Sequence, residues 1–476
     1  MSAKPVVPDV LAARYASAEM ADLWSPRTKV VLERRLWVAV LEAQRDLGVP
    51  VPDGVVEAYR AAVDDVDLDR IEERERVTRH DVKARLDEFS ALAGAEHAHK
   101  GLTSRDVTEN VEQHQVRRSL ELVRDRMVAA LARLAERAEE HEATVIAART
   151  HNVPAQPTTL GKRFANAGEE LLQALARVED LLGRYPLRGV KGPVGTARDQ
   201  LDLLGDPERV AALDRAVADH LGFDRVLDNV GQVYPRSLDL DVVAALVQAA
   251  SGPASLALTV RLMAGHELVT EGFAAGQVGS SAMPHKMNTR SCERIGALTA
   301  VLGGHLAMVT AIAGGQWNEG DVSDSVVRRV ALPGAFFAAD GVFQTFLHVL
   351  ADLGAFPAVI EAELRRELPF LSTTAVLVEA VRAGMGREAA HEAIRRHAVA
   401  AALARRSGDE AGADLFARLA ADPDLPVDAG ALEKLVADPL AFVGEAPRQV
   451  RAFTDAVAAV VARHPDAADY TPEPIL

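Results

Sequence analysis

From Ser119 the chain reads SLELVRDRMVAALARLAERAEEH, and Leu120, Val123, Met127, Leu131 and Leu134 recur in steps of three and four with charges between them. That spacing places them on one stripe of a helix. Ahead of it, Thr103-Ser104-Arg105-Asp106 sets a hydroxyl three residues before a carboxylate, the pattern of a helix start. The same periodicity predicts long helices from Thr159 to about Leu182, Leu238 to about Thr270, and Ser291 to about Ala313. These exceed the ordinary globular helix, and several lack polar breaks, so they are expected to pack in a bundle or at a subunit interface. The flanking parts differ. Shorter helices and the turn Pro50-Val51-Pro52-Asp53-Gly54 mark the N-terminal part, while beyond Gly354-Ala355-Phe356-Pro357 the chain becomes rich in Ala, Asp and Arg. The expectation is an all-α chain in three domains: residues 1–103, a central long-helix bundle over 104–356, and 357–476.

Composition sharpens this picture. Aromatic residues make up only 4%, so a core drawn from 49% hydrophobic residues must rest on Leu, Val and Ala, which suits helices better than β-sandwiches. A net charge of −16 argues against a general nucleic-acid or membrane-surface protein. It leaves room for an anionic small substrate held by a local cluster of cations. The single cysteine excludes an intrachain disulfide. The leading residues MSAKPVVPDVLAARYAS lack the apolar run of a signal peptide, and no eighteen apolar residues follow one another, so a cytoplasmic protein is expected.

Two segments carry chemistry. The first, Gly272–Ser291 (GFAAGQVGSSAMPHKMNTRS), interrupts helical sequence with Gly272, Gly276 and Gly279, the pair Ser280-Ser281, Pro284, Lys286 and Asn288. Glycine permits close backbone approach and proline stops a helix, so a long polar loop here is a functional candidate. The second, ARTHNVPAQPTT from Ala148, holds His151 ahead of a helix start at Thr158-Thr159. An imidazole titrates near neutrality and is suited to proton transfer. His97 and His99 in EHAHK lack a further ligand cluster, and Cys292 has no base at a recognisable spacing, so neither is read as a metal or nucleophilic site.

GSSAMPHKMN resembles the signature of the fumarase/aspartase superfamily, whose members eliminate fumarate from succinyl-bearing substrates; Ser280, Met283, Lys286 and Asn288 fall on its positions and Glu293 on the acidic one that follows. Thr289 departs from the proline of many members. Thr150-His151 and the Thr103-Ser104 of GLTSRDVTEN resemble the superfamily's other active-site segments, in the same chain order. Within the superfamily, Arg14-Tyr15, Arg79-His80-Asp81, Gly231-Gln232-Val233-Tyr234 and QWNEGDVSDSVVRRVALP resemble segments of the adenylosuccinate lyase family.

That resemblance implies cleavage of adenylosuccinate to AMP and fumarate, and of the succinylated aminoimidazole carboxamide ribotide to its carboxamide and fumarate. It implies that Arg14 and Tyr15 hold the nucleotide phosphate, and that Arg79, His80, Asp81, Thr103, Ser104, Gln232, Arg294, Ser325 and Arg329 bind substrate. Gly320 stands where many relatives have arginine. No metal or organic cofactor is implied. A homotetramer with sites shared between subunits is, and neither nucleic acid nor membrane is an expected partner.

The residue types suit the chemistry. Removing a proton beside a carboxylate creates a doubly negative aci-carboxylate, which needs positive charge and N–H donors already in place, as Lys286, Asn288 and a glycine-rich backbone offer. Ser280, with Ser281 as the other possibility, is the expected general base, and His151 oriented by Glu293 the general acid. Argininosuccinate lyase and carboxymuconate cycloisomerase are the alternative enzymes within the superfamily. A non-catalytic protein on the same scaffold is the alternative outside it.

Overall fold

Local capping decides where the long helices start. The carboxylate of Asp106 accepts from the Thr103 N–H at 2.8 Å and opens helix α3, while Thr159 Oγ1 accepts from Lys162 N at 3.1 Å and opens α4. In the computed structural model, which describes residues 7–272, 283 and 285–474, the principal helices are α1 (Pro26–Asp46), α2 (Asp81–Ala93), α3 (Ser104–Glu140), α4 (Leu160–Arg184), α5 (Ser237–Gly265), α6 (Arg290–Ile312), α7 (Ser325–Asp352), α8 (Pro357–Leu371), α9 (Arg387–Ser407) and α10 (Ala446–Arg463). Ser280 and Ser281 lie outside the described residues.

Helices α3 to α7 pack side by side as a bundle, with α10 laid against α3 and α4. Every residue of the predicted stripe, Leu120 to Leu134, is fully buried, but so are Val128, Ala129 and Ala130 on other sides of α3. That all-round burial is what a bundle core requires. Gly168 of α4 has its place because the Phe453 ring of α10 fills the space a Cβ would need. Residues of α8, α9 and the short helices around them build a separate small core of Val376, Ala380, Ile394, Leu415 and Leu419, while Val450, Phe453 and Val457 of α10 belong to the main one.

Among the described residues, two small β elements accompany the helices. Strands β1 (Val145–Thr150) and β2 (Val153–Thr159) form an antiparallel hairpin closed by His151-Asn152. Both turn residues have positive φ, 52° and 61°, as a two-residue hairpin turn demands. The segment that holds His151 ahead of the helix start is therefore mostly strand. A two-residue ladder joins β3 (Val269–Thr270) to β4 (Gly354–Ala355).

Helices α5, α6 and α7 are long and apolar enough, by length and composition, to cross a membrane, which the absence of an unbroken apolar run had not revealed. Packing accounts for α7, whose most apolar window is 89% buried, but that of α6 is only 28% buried. Val301 and Met308 of α6 are exposed, as are Leu258 and Leu262 of α5. Within one chain the bundle therefore leaves an apolar face uncovered.

Candidate active site

A cleft of ≈ 470 Å³ opens where the starts of α2, α3 and α7 meet the Gly231-Gln232 segment, and His80, Asp81, Thr103, Ser104, Gln232, Ser325 and Arg329 line it. Arg79, in the left-handed region at φ 53°, ends the preceding helix and turns the chain so that His80 caps α2. His80 Nδ1 accepts from Lys83 N at 3.3 Å. The neutral ring's proton then sits on Nε2, which faces Ser104 Oγ at 3.4 Å. Burial would raise the Asp81 carboxyl, but Arg85 and the Val82 N–H hold it below its usual range.

Buried polar side chains fix the cleft's walls. Arg188, fully buried, pairs with Asp106 at 2.6 Å and donates to the Gly231 carbonyl at 3.1 Å, so one guanidinium ties the start of α3 to the backbone beside Gln232. Gln232 N donates to the Glu319 carbonyl at 2.6 Å. Gly231 must be glycine there, since a Cβ would collide with that carbonyl group, whose carbon would lie only 2.7 Å away. Behind them, Arg236 grips Glu109 through two bonds of 2.7 and 3.0 Å, and Arg328 bridges Glu112 at 2.9 Å and Asp239 at 2.8 Å. Burial opposes ionisation of Glu112, yet Arg328 and Lys29 hold its pKa down at about 2. Burial wins at Asp239 and raises its pKa despite Arg328 and Arg236.

Other predicted residues gather elsewhere. Lys286, Asn288 and Glu293 line a second cleft of ≈ 720 Å³ beside Arg261, His285 and Phe356. Arg14, Tyr15 and Arg294 meet at a third place: the Arg294 guanidinium carbon stands 5.5 Å from the centre of the Tyr15 ring, and Arg14 lies close enough to help burial lower the Arg294 pKa. His151 is exposed at the tip of its hairpin and lines neither cleft, and Arg79 serves as a helix end outside the first cleft's lining.

The sequence reading missed Lys29, Arg105, Glu112 and Arg328, all of which line the first cleft. A signal existed for Glu112, because Ser104, Thr108 and Glu112 follow at four-residue steps on one face of α3. Lys29 had none. Gly320, at φ 137°, packs on Gln232, with room for a Cβ only at 3.2 Å from that residue's own Cβ. The cations of the cleft are instead Lys29, Arg105, Arg328 and Arg329. Cys292 is buried in α6, and His99 Nδ1 accepts from Trp37 Nε1 at 3.0 Å in the N-terminal core.

A bundle of this form, with polar segments from distant parts of the chain at its ends, defines the class of the fumarase/aspartase-type lyases. A lyase family model matches residues 24–303, and a model described as adenylosuccinate lyase C-terminus matches residues 369–453. Among solved structures, a fumarate lyase from Mesorhizobium sp. BNC1 superposes with a TM-score of 0.79 at 22% identity, over 95% of this chain and 100% of that one. A 3-carboxy-cis,cis-muconate lactonizing enzyme from Pseudomonas putida gives 0.82 at 19% identity, over 95% and 99%. These two speak for the fold alone. The chain is 36% identical to adenylosuccinate lyase of Saccharomyces cerevisiae over 93% of both chains, and 35% identical to that of Schistosoma mansoni over 82% of this chain and 83% of the relative. The chain belongs to the adenylosuccinate lyase family and is a carbon–nitrogen lyase.

Proposed function

We propose that this enzyme cleaves adenylosuccinate to AMP and fumarate, and the succinylated aminoimidazole carboxamide ribotide to its carboxamide and fumarate, at a composite site built from the three clusters above. The observation that carries the proposal is the first cleft. It unites His80, Thr103, Ser104, Gln232, Ser325 and Arg329, which are remote in sequence, around hydroxyl, amide and cationic groups fit for carboxylate and phosphate. Arg14, Tyr15 and Arg294 complete the nucleotide contacts, with His80 and Asp81 on the wall of the first cleft and Arg79 setting the turn that presents them. Ser280 takes the proton, Ser281 being the alternative. Lys286 and Asn288 stabilise the aci-carboxylate, and His151, oriented by Glu293, protonates the departing nitrogen. No cofactor takes part, and the enzyme works in the cytoplasm on purine nucleotide precursors.

Within one chain, His151, the Lys286 cluster and the first cleft stand apart, and α5 and α6 expose apolar residues. Assembly as a homotetramer, with central helices of four chains sharing one core, would cover that face and bring the clusters together. The division at 103/104 and 356/357 belongs to the same proposal. The decisive assay follows ultraviolet absorbance after adding adenylosuccinate to the purified protein, with argininosuccinate as control. Ser280→Ala and His151→Ala should each lose at least ~100-fold in kcat, as removal of a proton-transfer group does, and mixing the two variants should restore part of the activity. Absence of cleavage by the unmodified protein refutes the substrate. No recovery after verified subunit exchange refutes the shared site.

A further inference from the structure

The segment holding Lys286 and Asn288 begins and ends at one side chain. Glu271, only 8% exposed, stands just before it, and its carboxylate reaches across to the start of α6. Oε1 accepts from Ser291 N and Oε2 from Cys292 N, both at 2.9 Å, across separations of 20 and 21 residues. The first N–H groups of a helix have no partner within it, and a carboxylate there also meets the positive end of the helix dipole. An ordinary cap comes from the residue next to the helix. Here that residue is Thr289, whose side chain makes no capping bond. The helix takes its cap from the opposite end of the segment instead.

The near end is also fixed. Glu271 follows β3 directly, and β3 pairs with β4. Gly272 N donates to Thr270 Oγ1 at 3.3 Å, and Gly272, at φ 108°, lies so close to Asp352 that a Cβ would stand 2.6 Å from that residue's Cβ. One carboxylate thus ties the root of the segment to the helix that carries Glu293 and Arg294.

We infer that Glu271 is a positioning residue for the elimination: it sets the start of α6 against β3, and so fixes where Lys286, Asn288 and Glu293 stand relative to substrate. This rests on the roles given to those three residues under the proposed function. Glu271 lies at the root of the segment and not in the first cleft, so its removal should act on turnover more than on binding, which that cleft, Arg14 and Tyr15 still supply.

The chain's single cysteine gives an independent readout. Cys292 is buried, and burial together with the neighbouring Glu271 pushes its thiol pKa well up. It should react slowly with a thiol-specific disulfide reagent until the clamp is opened. The experiment compares the unmodified enzyme with Glu271→Ala and Glu271→Gln, each in its full assembled form. For Glu271→Ala, kcat on adenylosuccinate should fall about 10- to 100-fold, the loss expected when reacting groups shift by ~1 Å, while KM moves by less than about threefold. Labelling of Cys292 should speed up at least ~10-fold, as exposure and a lowered pKa both predict. Glu271→Gln keeps one acceptor and should fall between the two in both readouts; it decides the matter if Glu271→Ala fails to fold.

A kcat within twofold of the unmodified enzyme, or unchanged Cys292 labelling, overturns the inference. So does a loss of kcat that only parallels a loss of helicity or assembly. An unmodified enzyme inactive on adenylosuccinate would overturn the functional reading, while the labelling rates would still decide whether Glu271 clamps the helix.

Discussion

Replacing Arg188 by methionine tests the claim that one buried guanidinium holds the Thr103 and Gln232 segments together. In the structure it donates to Asp106 Oδ1 at 2.6 Å and to the carbonyls of Gly189, Gly192 and Gly231 at 3.1, 2.9 and 3.1 Å. Methionine has similar length and no donor. Asp106 would not be abandoned, since the backbone N–H groups of Thr103, Lys191 and Gly192 still reach it at 2.8, 2.9 and 3.0 Å. The Gly189 carbonyl keeps its bond from Asn110 at 2.9 Å. The carbonyls of Gly192 and Gly231 lose the donor, at about 1–3 kcal/mol for each buried group left unsatisfied. Those two losses come to about 2–6 kcal/mol, which brackets the ~3–5 kcal/mol usual for breaking a buried pair from one side. With an unfolding entropy of about 2.1 cal/mol/K per residue, ~3–5 kcal/mol in a chain of 476 residues lowers the thermal midpoint followed by circular dichroism by about 3–5 °C. Steady-state assays should show KM for adenylosuccinate raised at least ~10-fold, because Thr103 and Gln232 lose their common anchor. A midpoint within ~2 °C of the unmodified enzyme, together with an unchanged KM, would refute the reasoning.

Two other outcomes follow from geometry already described. Gly231→Ala forces a Cβ into the Glu319 carbonyl group, at a strain of roughly 1–3 kcal/mol. KM should rise while circular dichroism stays unchanged, and equal KM values would show that Gln232 is placed by something else. Burial lowers the pKa of His99, and its neutral ring accepts from Trp37. The unfolded chain then takes up a proton first as pH drops through its ordinary value of 6.5, so the residue's contribution to stability is present above that pH and is lost below it. The midpoint difference between the unmodified protein and His99→Gln should therefore shrink from pH 7.5 to 5.5, and a constant difference would remove His99 from the account.

Helices that bury one continuous stripe were legible to within a few residues: α4 was expected from Thr159 and begins at Leu160, and α6 was expected from Ser291 and begins at Arg290. The predicted end of α5 near Thr270 ran too far, because Val269 and Thr270 leave the helix to pair with Ala355 and Gly354. Such pairing depends on a partner that local periodicity cannot reveal. Helix α7 escaped the reading, since Pro333 sits inside it and its burial on nearly all sides removes the amphipathic pattern. The hairpin around His151 was hidden by Pro154 and Pro157, which read as loop. Of the residues singled out by motif, His80, Asp81, Thr103, Ser104, Gln232, Ser325 and Arg329 line one cleft. Lys29, Glu112 and Arg328 act through three-dimensional neighbours and leave no local mark, apart from the spacing of Glu112 along α3. Nor did any motif point to Glu271, whose partners stand beyond the signature segment.

The short ladder between β3 and β4 has a bearing on how changes in this chain are interpreted. It pins the root of the signature segment to the strand that leads into α8, and Phe356 N continues the pairing with a bond to the Leu268 carbonyl at 2.9 Å. Phe356 also forms part of the wall behind Lys286 and Asn288. A substitution in the last hundred or so residues that shifts α8 would therefore be inherited by the segment that carries Lys286 and Asn288. Alleles scattered through the C-terminal part would then present as slow enzymes rather than unstable ones, and a survey that classes variants by distance from substrate would misfile them.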